Sequence, residues 1–145
     1  MSRVNKSRSR RLRTAGVVLA LAAGIALAAP TAAQASGTGI AWSHGAGGTT
    51  GLGVYGSGWR VDSVRVSHGD GVFTNYCGFQ SKAWGTLSIN GSYSATFGYT
   101  AGCTPAPYYN DKTIGKTFKN ATNMYGQSYH DGGWAPGVPS VQILA

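Results

Sequence analysis

The amino-acid sequence predicts an all-β protein: a small antiparallel β-sandwich, or barrel, of about seven or eight strands with one disulfide, preceded by a signal peptide. Three observations predict it. Glycine accounts for 23 of the 145 residues and glutamate is absent. After residue 35 no window carries apolar residues at helical spacing, whereas alternating apolar and polar runs recur, punctuated by Gly, Asn or Asp roughly every 8 to 12 residues. Two cysteines, Cys77 and Cys103, occur in a chain that opens with an export signal, and one disulfide between them is the natural pairing.

The first segment is read as that signal. Arg3, Lys6, Arg8, Arg10, Arg11 and Arg13 precede the apolar run AGVVLALAAGIALAAP with no acid among them, and Ala33-Gln34-Ala35 is a small-x-small cleavage signature. Cleavage is expected between Ala35 and Ser36, leaving residues 1–35 as the signal peptide and 36–145 as a single domain. The apolar run, interrupted by Pro30, falls short of the roughly 20 residues of a spanning helix, so no stable membrane insertion is expected after cleavage. The formal charge of +8 shrinks once this segment is set aside. Arg60, Arg65, Lys82, Lys112, Lys116 and Lys119 then stand against Asp62, Asp70, Asp111 and Asp131, a net of +2. Such a balance gives no reason to invoke nucleic acid.

Candidate strands lie near Leu52–Tyr55, Trp59–Ser67, Gly71–Phe79, Thr113–Lys119, Asn123–Tyr129 and Val138–Leu144. The clearest unit is AWGTLSINGSYSATFGY, Ala83 to Tyr99, where Asn90-Gly91 between alternating runs marks a two-residue hairpin turn. That turn would set Ile89 against Ser92, Thr86 against Ala95 and Trp84 against Phe97, with Trp84, Tyr93, Ala95, Phe97 and Tyr99 on the core face. Thr104 to Tyr108, with two prolines, is expected to be a loop, and Trp134 to Pro139 a second bend.

Two stretches share the pattern S-H-G-x-G-x-x-T: Ser43 to Thr50 and Ser67 to Thr74. His44, His68 and His130 are each followed by glycine or aspartate, the residues that tight turns require. The expected role is turn chemistry. The sharper alternative is a metal site of His44, His68 and Asp70, with His130 and Asp131 as further donors. Strand parity places His44 and His68 at one end of the sandwich and His130 at the other, and no H-x-H pair anchors such a site. No metal and no cofactor are therefore expected.

Catalytic patterns are equally sparse. Ser67, His68 and Asp70 are near neighbours on one turn, whereas a serine triad converges from separated segments. Gly51 to Gly56 matches G-x-G-x-x-G but lacks the following helix. The remaining lead is aromatic: four Trp and eight Tyr in a short chain. Tyr108 and Tyr109, beside two prolines, and Trp134, in the Pro-Gly bend, are the candidate ligand contacts.

The Arg- and Ala-rich leader followed by a glycine- and aromatic-rich domain with two cysteines resembles small secreted actinobacterial proteins without an assigned activity. Locally, Trp42-Ser43-His44-Gly45-Ala46-Gly47 is similar to the W-x-H-G-x-G opening of lactococcin 972-type bacteriocins. That resemblance implies a short secreted β-sandwich that interferes with cell-wall synthesis, although the chain here is longer and carries two cysteines that those proteins lack. The expected function is a secreted, non-enzymatic role in binding a cell-wall or polysaccharide surface or an extracellular protein. The alternatives are a bacteriocin-like defence protein and a small secreted hydrolase. Composition leaves the oligomeric state open.

Overall fold

The computed structural model describes residues 35–42, 48–69 and 75–144. Alternation of side chains about the strand axis organises all of it. Nine strands occur among the described residues: β1 (Gly37–Trp42), β2 (Thr49–Ser57), β3 (Arg60–Gly69), β4 (Asn75–Thr86), β5 (Ser92–Pro105), β6 (Tyr108–Thr117), β7 (Thr122–His130), β8 (Gly133–Trp134) and β9 (Ser140–Ile143). Every pairing is antiparallel. One sheet, A, runs β1-β2-β3-β6. The other, B, runs β5-β4-β7, with β8 and β9 pairing opposite ends of β7.

The sheets bury one face each. In β3, Val64 and Val66 point inward while Ser63, Arg65 and Ser67 do not. In β7, Met124, Gly126, Ser128 and His130 point inward and Tyr125, Gln127 and Tyr129 outward. Leu52, Val54, Val61, Val64 and Val66 of sheet A meet Ala83, Phe97, Met124, Val141 and Ile143 of sheet B, with Phe118 beside them. Burying each large apolar side chain stabilises the fold by about 1.5–3 kcal/mol. Gly126 marks a close approach of the sheets, because a Cβ there would lie 3.0 Å from Leu52 Cδ1 and 3.2 Å from Val66 Cγ2. Cys77 and Cys103 are bonded, joining facing residues of β4 and β5.

The structure corrects several expected elements. Gly71–Phe79 and the first hairpin strand are one strand from Asn75 onward: Gly78, at φ 64°, sits where the β4–β5 register shifts and does not end the strand. The loop expected at Thr104 to Tyr108 shrinks to Ala106-Pro107 between β5 and β6. The Asn90-Gly91 connection is wider than two residues. Leu87 forms an isolated bridge with Phe118 and its N–H donates to the Gly91 carbonyl, 3.1 Å. The register therefore moves: Thr86 faces Ser92, Trp84 faces Ser94 and Ser81 faces Phe97. Tyr93, Ala95 and Phe97 do pack on the core, but Trp84 turns to the outer face. Beyond the shift at Gly98 (φ 70°), Tyr99 is exposed.

Candidate functional site

The corrected strand count changes which residues meet. With β4 continuous, β3 and β7 both finish at the same end of the sandwich, so His130 lies beside His68 and not at the opposite end. Their rings are 4.2 Å apart at 41°, and Tyr76 packs against both, at 4.8 Å from His68 and 4.5 Å from His130. The cluster is sealed: His68 is 1% exposed and His130 5%. The His68 Nδ1 contacts Ser128 Oγ at 3.1 Å, and Ser128 Oγ shares a 2.7 Å hydrogen bond with Thr50 Oγ1. This chain crosses between the two sheets. Ser128 and Thr50 are themselves fully buried, so the Ser–His contact tethers the sheets and offers no route to a substrate.

Asp131, at the turn after β7, holds the edge of the cluster. One carboxylate oxygen accepts the Cys77 N–H at 2.9 Å, the other contacts His130 Nδ1 at 3.1 Å, and the Asp131 N–H donates to the Cys77 carbonyl at 2.8 Å. The Cys77 hydrogen bond, and then His130, hold its carboxyl below the usual carboxylate range. Among the described residues no three His, Cys, Asp or Glu side chains are placed to hold a metal. His44 and Asp70, two members of the alternative metal set, lie outside the described residues, as does most of the Trp42–Gly47 stretch.

Tyr108 and Tyr109 open β6, and alternation sends them to opposite faces. Tyr108 turns inward against Phe79 with its hydroxyl buried, and burial pushes its pKa up. Tyr109 turns outward, is 56% exposed, and carries the Arg65 guanidinium 4.0 Å above its ring. Trp134 is exposed on the other sheet, packed edge-on against Tyr129. These three rings do not form one surface.

A surface that does converge lies on the outer face of sheet A. Register places Thr38, Gly53, Arg65 and Asp111 in one row and Ile40, Gly51, Ser67 and Tyr109 in the next. Gly51 and Gly53 put no side chain of their own in the middle of β2, which is open at Gly51 and covered by Tyr55 at Gly53. The result is a trough of about 400 Å³ walled by Ile40 and Thr38 on one side and Ser67 and Arg65 on the other. Tyr55 folds back so that its hydroxyl lies 2.8 Å from where a Gly53 Cβ would be. Trp42, 72% exposed, stands opposite Thr49 at the far end. From Thr49 to Tyr55 the floor runs about 20 Å at roughly 3.3 Å per residue. Arg65 is closed by Asp111 through two 2.8 Å hydrogen bonds. That pairing raises the Arg65 pKa and lowers that of Asp111, and it leaves the trough polar without net charge. Sequence reasoning missed this surface, although Gly51-Leu52-Gly53-Val54 carries the signal: a strand with apolar residues inward and nothing outward.

The fold and this surface define a small disulfide-linked antiparallel β-sandwich with an open trough on one sheet. No family model matches the chain, and no curated protein or solved structure matches it either. Among the described residues no helix is long and apolar enough to cross a membrane.

Proposed function

We propose that this chain is an extracellular binding protein that takes an uncharged polysaccharide chain in the trough of sheet A. The observation that carries the reading is the trough itself: a floor open at Gly51 and covered by Tyr55 at Gly53, flanked by exposed apolar and aromatic side chains, with Arg65 neutralised by Asp111. Sugar rings present a flat apolar face and a rim of hydroxyls. Trp42 and Tyr55 supply ring faces, and Thr38, Thr49, Ser67 and the Arg65–Asp111 pair supply hydrogen-bonding groups. Few placed polar groups on a mostly apolar surface is the general make-up of ligand sites. The disulfide and the export-type leader favour an oxidising compartment outside the cell.

The test is retention of residues 36–145, disulfide formed, on chitin, cellulose and purified bacterial cell wall. Retention should fall when Trp42 or Tyr55 becomes alanine and stay unchanged for Trp134→Ala, on the opposite sheet. Equal retention of Trp42→Ala, Tyr55→Ala and wild type would refute the assignment. Turnover of any of these polymers, abolished by substitution of an aspartate or histidine, would favour the hydrolase instead.

A further inference from the structure

The outer face of sheet B carries a second aromatic hollow with a different charge. It is about 260 Å³ and is lined by Lys82, Trp84, Thr86, Ser92, Ser94 and Tyr125, among others. Trp84 and Tyr125 face each other across β4 and β7, with ring centroids 5.6 Å apart and planes within 16°. Lys82 Nζ lies 5.3 Å from the Trp84 ring. Among the described residues no carboxylate pairs with Lys82, and no acid lines the hollow. The trough on sheet A has its arginine neutralised, whereas the hollow on sheet B has a lysine with no carboxylate beside it. Parallel rings, flanking hydroxyls and an uncompensated ammonium suit a sugar or polyol unit that bears an anionic group.

We propose that this hollow binds a polymer carrying carboxylate or phosphate groups, with Lys82 taking the anion and Trp84 and Tyr125 taking the apolar part of the unit. The two outer faces of a sandwich point in opposite directions, their sheets about 10 Å apart, so one molecule bridges an uncharged chain on sheet A and an anionic chain on sheet B. The bridging, though not the second site, rests on the reading of the trough.

The test uses the disulfide-bonded domain, residues 36–145, and two soluble probes, polygalacturonate for carboxylate and a glycerol phosphate polymer for phosphate, with dextran as the uncharged control. At least one polyanion should bind, more weakly as salt rises, and the stronger of the two identifies the anion. Lys82→Gln should weaken that binding about tenfold or more and Trp84→Ala should weaken it too. Both variants should keep wild-type retention on whichever uncharged particle, chitin or cellulose, holds the trough, which shows that they fold. Protein loaded on that particle should then capture the polyanion. Binding of neither polyanion, or binding unchanged in both variants, overturns the proposal. Polyanion binding that depends on Lys82, in a protein that no uncharged particle retains, supports the second site and overturns the trough and the bridging.

Discussion

Replacing Gly51 with valine separates what the fold needs from what the trough needs. Gly51 lies within β2 and has no positive φ, so a β-branched residue meets its preferred backbone. A Cβ built there approaches only Ser67, at 2.5 Å from Oγ and 3.9 Å from Cβ, and a serine hydroxyl turns away by rotation about one bond. Glycine within a strand is worth roughly 0.5–1 kcal/mol less than alanine, and valine gains further in strands. The variant should therefore be as stable as wild type or more stable by up to about 1 kcal/mol. For a domain of this size that is a rise in Tm of about 4 °C. The same isopropyl group stands on the trough floor between Ile40 and Ser67, where it denies a ligand the closest approach to the sheet. Retention on the polysaccharide should drop at least tenfold, which corresponds to about 1.4 kcal/mol. Thermal unfolding and particle retention, measured on the same preparation, check both signs. A folded Gly51→Val protein that binds as wild type would show that no ligand uses the trough, and a lowered Tm would show that the floor is not open.

Three further predictions concern the scaffold. Changing Cys77 and Cys103 together to alanine removes a link across 26 positions, and the loop-entropy relation gives a loss of about 3.5 kcal/mol, measurable by urea unfolding; a loss under about 1 kcal/mol would mean that β4–β5 pairing already restrains the unfolded chain. Gly126→Ala pushes a methyl group to within 3.0 Å of Leu52 and 3.2 Å of Val66, and calorimetry should show destabilisation of about 1–3 kcal/mol. Asp131 has its pKa lowered in the folded state, first by the Cys77 N–H, so its contribution is present above the unfolded carboxylate value of about 3.9 and is lost as pH falls through the folded value. Urea midpoints of wild type should therefore decline across that acid range, and Asp131→Asn should flatten part of the decline; parallel pH profiles for the two proteins would contradict the assignment.

The sheet class and the disulfide were legible because alternation and cysteine count are local signals. Connectivity was harder. Read from sequence, the chain breaks between Phe79 and Ala83, yet Asn75–Thr86 is one long strand whose register shifts around Gly78, and that single misreading reverses the expected end of every later strand up to His130. The hairpin at Asn90-Gly91 shows the same limit: the dipeptide marks the turn, but the bridge from Leu87 to Phe118 sets its width, and that contact is 31 positions away in sequence. Prolines beside Tyr108 and Tyr109 suggest a loop, whereas β6 pairs from its first residue with His68 and Ser67. Strand β1 went unread because Gly37 and Gly39 interrupt its apolar alternation.

The glycines that hid β1 also explain why those of β2 bear on function. A Cβ at Gly37 would meet Val141 at 2.8 Å, one at Gly39 would strike the Ser140 carbonyl oxygen, and one at Gly126 would press on Leu52. At these three inward positions the close approach of the two sheets requires the missing side chain. Gly51 and Gly53 face outward, away from the core: an added carbon at Gly51 would meet only Ser67, whereas one at Gly53, which is buried, would press on the turned-back ring of Tyr55. Gly51 forgoes strand stability of roughly 0.5–1 kcal/mol without any return in packing. A cost carried at Gly51, on the open part of this face and between side chains suited to a ligand, points to the surface and not to the fold as its reason.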